Sequence, residues 1–120
     1  MALTEGKHNF EFLLSEANGQ LSREQVTVTV AGATALPAGA VLGKLTATGK
    51  YVAYDDVGSD GSETAAAVLC NDCPATNGDY KRTVIVRNAE VIAAMLTQVG
   101  TGALNANGVA DLKTVGIIVR

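Results

Sequence analysis

The sequence predicts a mainly β domain with one short-to-medium α-helix, led by an extended, flexible N-terminal arm. Three observations carry this expectation. Residues 26–30 alternate Val and Thr, the period-two pattern of a half-buried strand. Short apolar runs separated by turn residues recur at 41–54, 65–69, 83–87 and 117–119. Only residues 88–100 space their apolar side chains at clear helical intervals. A length of 120 residues fits one folded unit. Texture divides it into an arm over 1–25 and a β-rich domain over 26–120.

The arm holds both Phe residues, the sole His and four of the twelve acidic residues. Its apolar run of Phe10, Phe12, Leu13 and Leu14 is short, and Asn18-Gly19 signals a turn. Two readings stay open here. The segment is either an extended arm whose partner strand lies elsewhere, or a first strand or short helix packed in the same domain.

From Gln25 the pattern sharpens. Val26, Val28 and Val30 face a core, with Thr27 and Thr29 toward water. Residues 37–39 (PAG) form a turn. Residues 41–56 make a second extended region in which Gly43 marks a bulge or a close backbone approach. Gly49 turns the chain, and Tyr51 and Tyr54 follow on the next strand. The acidic stretch 55–65 reads as a solvated hairpin loop, and the AAAVL run at 65–69 suits a buried strand. Next comes a strand with Val84 and Val86 on one face and Thr83, Ile85 and Arg87 on the other.

The helix is expected over 88–100. Asn88 can cap it, Glu90 sits in a first turn where the dipole favours an acid, and Gly100 stops it. Ile92, Met95, Leu96 and Val99 supply its apolar stripe. The tail offers a loop, one helical turn around 109–114 and a last strand at 117–119. A terminal strand of that quality is normally tied into a sheet.

Composition narrows the function. Nine basic residues oppose twelve acidic ones, a net charge of −3, with a pI near 5.0. No run of Lys or Arg exceeds two, which argues against nucleic acid as a partner. No apolar stretch approaches the length of a spanning helix, and the start lacks the form of a secretion signal. The expectation is a protein made and used without crossing a membrane. Large side chains are scarce: no Trp, two Phe and three Tyr, against 19 Ala and 13 Gly. A core of small groups buries little area per residue, so further burial between subunits is attractive.

Catalytic and metal constellations are poorly supplied. Cys70-x-x-Cys73 precedes a Pro turn and not a helix, so it lacks a helix-stabilised thiolate and reads as incidental loop thiols. A structural zinc needs four ligands, and the chain offers two Cys and a distant His8. Asp55, Asp56, Asp60 and Glu63 miss the spacing of a helix-flanked calcium loop. No phosphate-cradling glycine motif occurs. Lys81, Arg82 and Arg87 form a small basic cluster suited to a contact patch. The expectation is a non-enzymatic protein with no cofactor, no metal and no small-molecule substrate, working through its surfaces.

Four stretches in one order carry a resemblance: EFLLSEANGQLSREQVTV, PAGAVLGKLTATGKYVAYD, CPATNGDYKRTVIVRNAEV and the closing GIIVR. Over residues 10–120 the chain resembles the lambda-like head decoration protein D family of tailed bacteriophages. The resemblance implies a small mixed β domain of the β-clip type. It implies a homotrimer that sits outside the expanded head at local three-fold positions and cements the major capsid protein lattice against DNA pressure. Localisation would then be the outer surface of the virion, after synthesis in the host cytoplasm. It also implies that the arm orders on the capsid as an added strand. Phe10, Phe12, Leu13 and Leu14 would pack on the capsid, with Ser15, Glu16, Asn18 and Gly19 leading back to the domain. Trimer contacts are expected at Leu42, Leu45 and Ala47 and at Ile117 and Val119. Cys70 and Cys73 depart from the family pattern. The competing class is a small binding or adaptor module of a virion.

Overall fold

The computed structural model describes residues 8–19, 21–31, 34–99 and 102–120. Among the described residues, eight strands form two sheets. Strands β2 (Arg23–Val30), β3 (Val41–Lys44), β4 (Tyr51–Ala53), β5 (Ala65–Leu69) and β6 (Gly78–Ile85) close a barrel in the order β2-β4-β3-β5-β6. A three-stranded sheet takes β1 (Leu13–Glu16), β7 (Ala89–Val91) and β8 (Ile117–Val119), with β7 in the middle. The helix α1 spans Ala106–Thr114. Mainly β with one helix is the observed class.

The Val/Thr alternation works as its chemistry dictates. Strand β2 pairs antiparallel with β6 along its whole length, from Arg23 opposite Ile85 to Val30 opposite Gly78. Val28 and Val30 are buried with Leu42, Tyr51, Ala67, Leu69 and Val84, and this cluster fills the barrel. Leu36 and Cys73 exchange main-chain hydrogen bonds at 3.1 and 2.7 Å and add their side chains to the same core.

A second core lies between the barrel wall and the three-stranded sheet. Phe12, Val41, Tyr54, Val68, Ile85, Val91, Leu96, Leu112 and Ile117 meet there. Neighbouring residues on the wall strands face opposite cores: Val41 and Leu42, Val68 and Leu69, Ile85 and Val84. That explains why 65–69 is a continuous apolar run, since a strand buried on both faces loses its alternation. Gly43 sits where the β3–β5 register shifts. A Cβ there would lie 2.7 Å from both Cα and the carbonyl oxygen of Ser62, so bulge and close approach coincide.

The expected helix over 88–100 is not formed. Its first residues, Ala89–Val91, are the central strand β7, antiparallel to β1 and parallel to β8. Asn88 has φ 49 and does not cap, and Glu90 pairs with Arg120 across the sheet. Only Ala93–Met95 turns, as a single 3-10 turn. Leu96 enters one core, Val99 packs on the other, and Met95 is exposed. Sheet pairing overrides the helical spacing, because β7 holds β1 and β8 together.

The helix lies instead at 106–114, where one turn was expected. Asn105 caps it, its side-chain oxygen accepting from the Gly108 amide at 2.8 Å. Gly108, a poor helix former, is required by contact: a Cβ there would lie 3.2 Å from the Tyr54 ring and collide with Leu104. Asp111 fixes the helix to the barrel by accepting from the Ala65 amide at 3.1 Å.

The loop after β4 also differs from expectation. It is not a hairpin, because β4 and β5 lie on opposite sides of β3. Asp56 turns inward, accepting from the Tyr54 hydroxyl at 3.0 Å and the Asn105 side-chain nitrogen at 2.9 Å. Burial and Asp56 together push the Tyr54 phenol up to about 12.

Candidate docking surface

Residues 10–17, expected as part of an arm seeking a partner, have partners within this chain. Residues 1–7 and 20 of the same segment lie outside the described residues. Phe10 has φ 63, and its amide donates to the Cys70 carbonyl at 3.2 Å. Phe12, expected on the capsid, is fully buried in the second core of the protomer. Leu13 packs against that core from β1. The next residue, Leu14, falls at the register shift of β1 and is 54% exposed.

Polar groups fasten this segment. The Ser15 hydroxyl donates to Glu90 at 3.1 Å. The Arg23 guanidinium grips both Glu16 carboxylate oxygens, with contacts from 2.6 to 3.2 Å, and lies over the Phe10 ring at 4.4 Å. The Glu16 hydrogen bond, above all, raises the Arg23 pKa above its ordinary value. Ser22 is buried, accepting from the Ala17 amide at 3.0 Å and donating to the Asn88 carbonyl at 2.8 Å. Asn18 and Gly19 form the exposed tip, with Gly19 at φ 69.

The expected trimer residues separate into two groups. Leu42 and Ile117 are fully buried inside the protomer, one in each core, and cannot present side chains to another subunit. The period-two geometry of β3 and β8 turns both side chains inward in the protomer. Leu45 and Val119 are half-buried, and Ala47 is exposed on the β3–β4 connection. Leu45 lines a groove of about 450 Å³ at the barrel's end with Leu36, Val52, Ala53 and Val99. Sequence reasoning did not find this groove, because it is assembled from four separate stretches.

Both cysteines are free and buried, one in each core, and burial pushes the Cys70 thiol up to about 12. Burial raises Cys73 as well. They lie in the connection between β5 and β6 with their side chains turned into the cores, and a protonated buried thiol is a poor nucleophile. Arg87 turns toward the Leu21 carbonyl and Glu24, at 2.6 and 2.9 Å. Lys81 and Arg82 line a separate polar groove with Gln25, Asn71, Asp72 and Thr83. Among the described residues no group of three His, Cys, Asp or Glu side chains could hold a metal ion. No helix among them is long and apolar enough to cross a membrane.

A closed barrel, an appended sheet and surfaces formed by edges and grooves define a structural binding module. The family model for bacteriophage lambda head decoration protein D matches residues 2–117. The chain therefore belongs to that family, and its role is that of a structural, non-enzymatic head decoration protein associated with the virion. A search of curated proteins gives no match.

Proposed function

We propose that the protein binds as a homotrimer on the outside of the expanded phage head, at local three-fold positions, and cements the major capsid protein lattice against the pressure of packaged DNA. The family match over residues 2–117 carries this reading. The surfaces are compatible with it. Leu45, Ala47 and Val119, with the groove at the barrel's end, supply the subunit contact. The segment 1–25 supplies the capsid contact, through the residues ahead of Phe10, the exposed Leu14 and the outer edge of β1. A closed three-fold assembly matches a local three-fold site without leaving an interface unused.

Mixing purified protein with expanded, undecorated heads and imaging them tests the role. Density at local three-fold positions is expected. Light scattering should give three copies of 12.3 kDa, about 37 kDa, falling toward the protomer on dilution. Deleting residues 1–7 spares Phe12 and β1, and should leave the trimer intact while weakening uptake onto heads. Full-strength uptake by that variant overturns the arm assignment. A stable monomer that never decorates heads overturns the whole reading in favour of an adaptor module.

A further inference from the structure

Three Asn-Gly pairs occur in the chain: Asn18-Gly19, Asn77-Gly78 and Asn107-Gly108. In an unfolded chain the three are chemically alike, because a glycine without a side chain leaves its amide nitrogen free to approach the preceding Asn side chain. The fold makes them unlike. Gly108 lies in the first turn of α1, and its amide donates to Asn105 at 2.8 Å. Gly78 is the first residue of β6, in register with Val30. The turn before it is tied by the Tyr80 hydroxyl, which donates to the Thr76 carbonyl at 2.7 Å. Asn18 and Gly19 are both exposed, as are Asn77 and Gly78, so it is the tied turn and strand pairing at the latter, and not burial, that separate the two sites. Neither makes a hydrogen bond to a described residue. The space beside the Gly19 Cα is open to at least 4 Å.

We propose that Asn18 is a site of spontaneous deamidation, set apart from its two sequence equivalents by the fold. The Gly19 amide nitrogen attacks Cγ of Asn18. A C–N bond forms to close a succinimide, the bond from Cγ to the side-chain nitrogen breaks, and ammonia leaves with the proton from the Gly19 amide. Water then opens the ring at either carbonyl, giving aspartate or isoaspartate. The sequence is redox-neutral and needs only water. It places a new carboxylate two residues from Glu16, whose charge Arg23 neutralises. The isoaspartyl product also lengthens the main chain by one methylene in the connection between β1 and β2. Aging therefore alters the connection beside the proposed head contact.

Digestion with trypsin puts the three sites on separate peptides, 8–23, 51–81 and 88–113. Full-length protein is incubated at mildly alkaline pH, and fragmentation mass spectrometry reads each site over time. Conversion at Asn18 should run several-fold faster than at Asn77, with Asn107 slowest. The same incubation in denaturant should bring the three rates close together. Replacing Asn18 by Gln should abolish conversion on the 8–23 peptide and leave the other two sites unchanged. Faster conversion at Asn77 or Asn107 in the folded protein overturns the proposal. So does an unchanged ranking in denaturant, which would remove the fold as the cause.

Discussion

The barrel and the three-stranded sheet are built by opposite strategies. Each barrel strand has two neighbours in a closed ring, and β2 and β6 pair over eight residues each. The appended sheet gathers strands of three or four residues from the beginning, the later middle and the end of the chain. Its outer strands, β1 and β8, each have one neighbour. Few ladder hydrogen bonds hold it, so side chains must: Phe12 and Ile117 beneath, with Ser15, Glu90 and Arg120 joined across it. Closure gives a self-sufficient unit, whereas an open sheet keeps edges that another chain can use.

Substitutions can break that contrast. The largest effect is expected for Phe12→Ala, which empties a fully buried site under the open sheet and should cost about 3–5 kcal/mol in denaturant unfolding. If β1 were only a loosely held arm, the loss would be within about 0.5 kcal/mol. Gly43→Ala strikes the barrel, where the added methyl meets the Ser62 backbone, and should cost about 1–3 kcal/mol by the same measurement. Unchanged stability would show that the bulge can open without penalty.

Ser22→Ala removes the hydroxyl that joins the Ala17 amide to the Asn88 carbonyl, leaving only the direct 3.2 Å hydrogen bond between those two groups. A loss of about 0.5–1.5 kcal/mol is expected, with amide exchange rising in β1 before it rises in the barrel. Uniform exchange in both regions would contradict separate fastening.

The smallest effect is electrostatic. Hydrogen bonds from Arg120 first, then Ser15, hold the Glu90 carboxyl below its ordinary value. A depressed folded-state pKa adds stability above the ordinary glutamate value, and that stability is lost as pH falls through the lowered one. Glu90→Gln should therefore flatten the acid limb of a melting-temperature profile slightly. Asp79 in the barrel, held low by Lys50 and then Thr29, keeps part of the slope. An acid limb identical to that of the parent would show that the exposed Arg120–Glu90 pair contributes nothing measurable.

Legibility in the sequence followed the same division. The alternation at 26–30, the buried run at 65–69, the special role of Gly43 and the strand at 117–119 were readable, because each is set by local pattern. The open sheet was not. Leu13–Glu16 and Ala89–Val91 are too short to declare themselves, and their pairing joins residues 75 apart, such as Ser15 and Glu90. The helix was misplaced for a related reason. Gly108 argues against a helix by propensity, while its need arises only from contact with Leu104 and Tyr54. Of the expected docking residues, Leu14 and Ala47 proved outward, whereas Phe12, Leu42 and Ile117 proved internal. Apolar character alone does not say which surface a side chain covers.

The wall shared by the two cores bears on folding fidelity. Where a strand has one apolar face, slipping by a single residue exposes the whole apolar set, and the error corrects itself. Strands β3 and β5 lack that safeguard, since Val41 and Leu42, like Val68 and Leu69, would merely exchange compartments. Alignment must come from features that hydrophobicity cannot supply: the steric stop of Ser62 against Gly43, and the Gly39 amide held at 2.8 Å by the Leu69 carbonyl. These contacts act as index marks, choosing one alignment among several that would bury nearly the same surface.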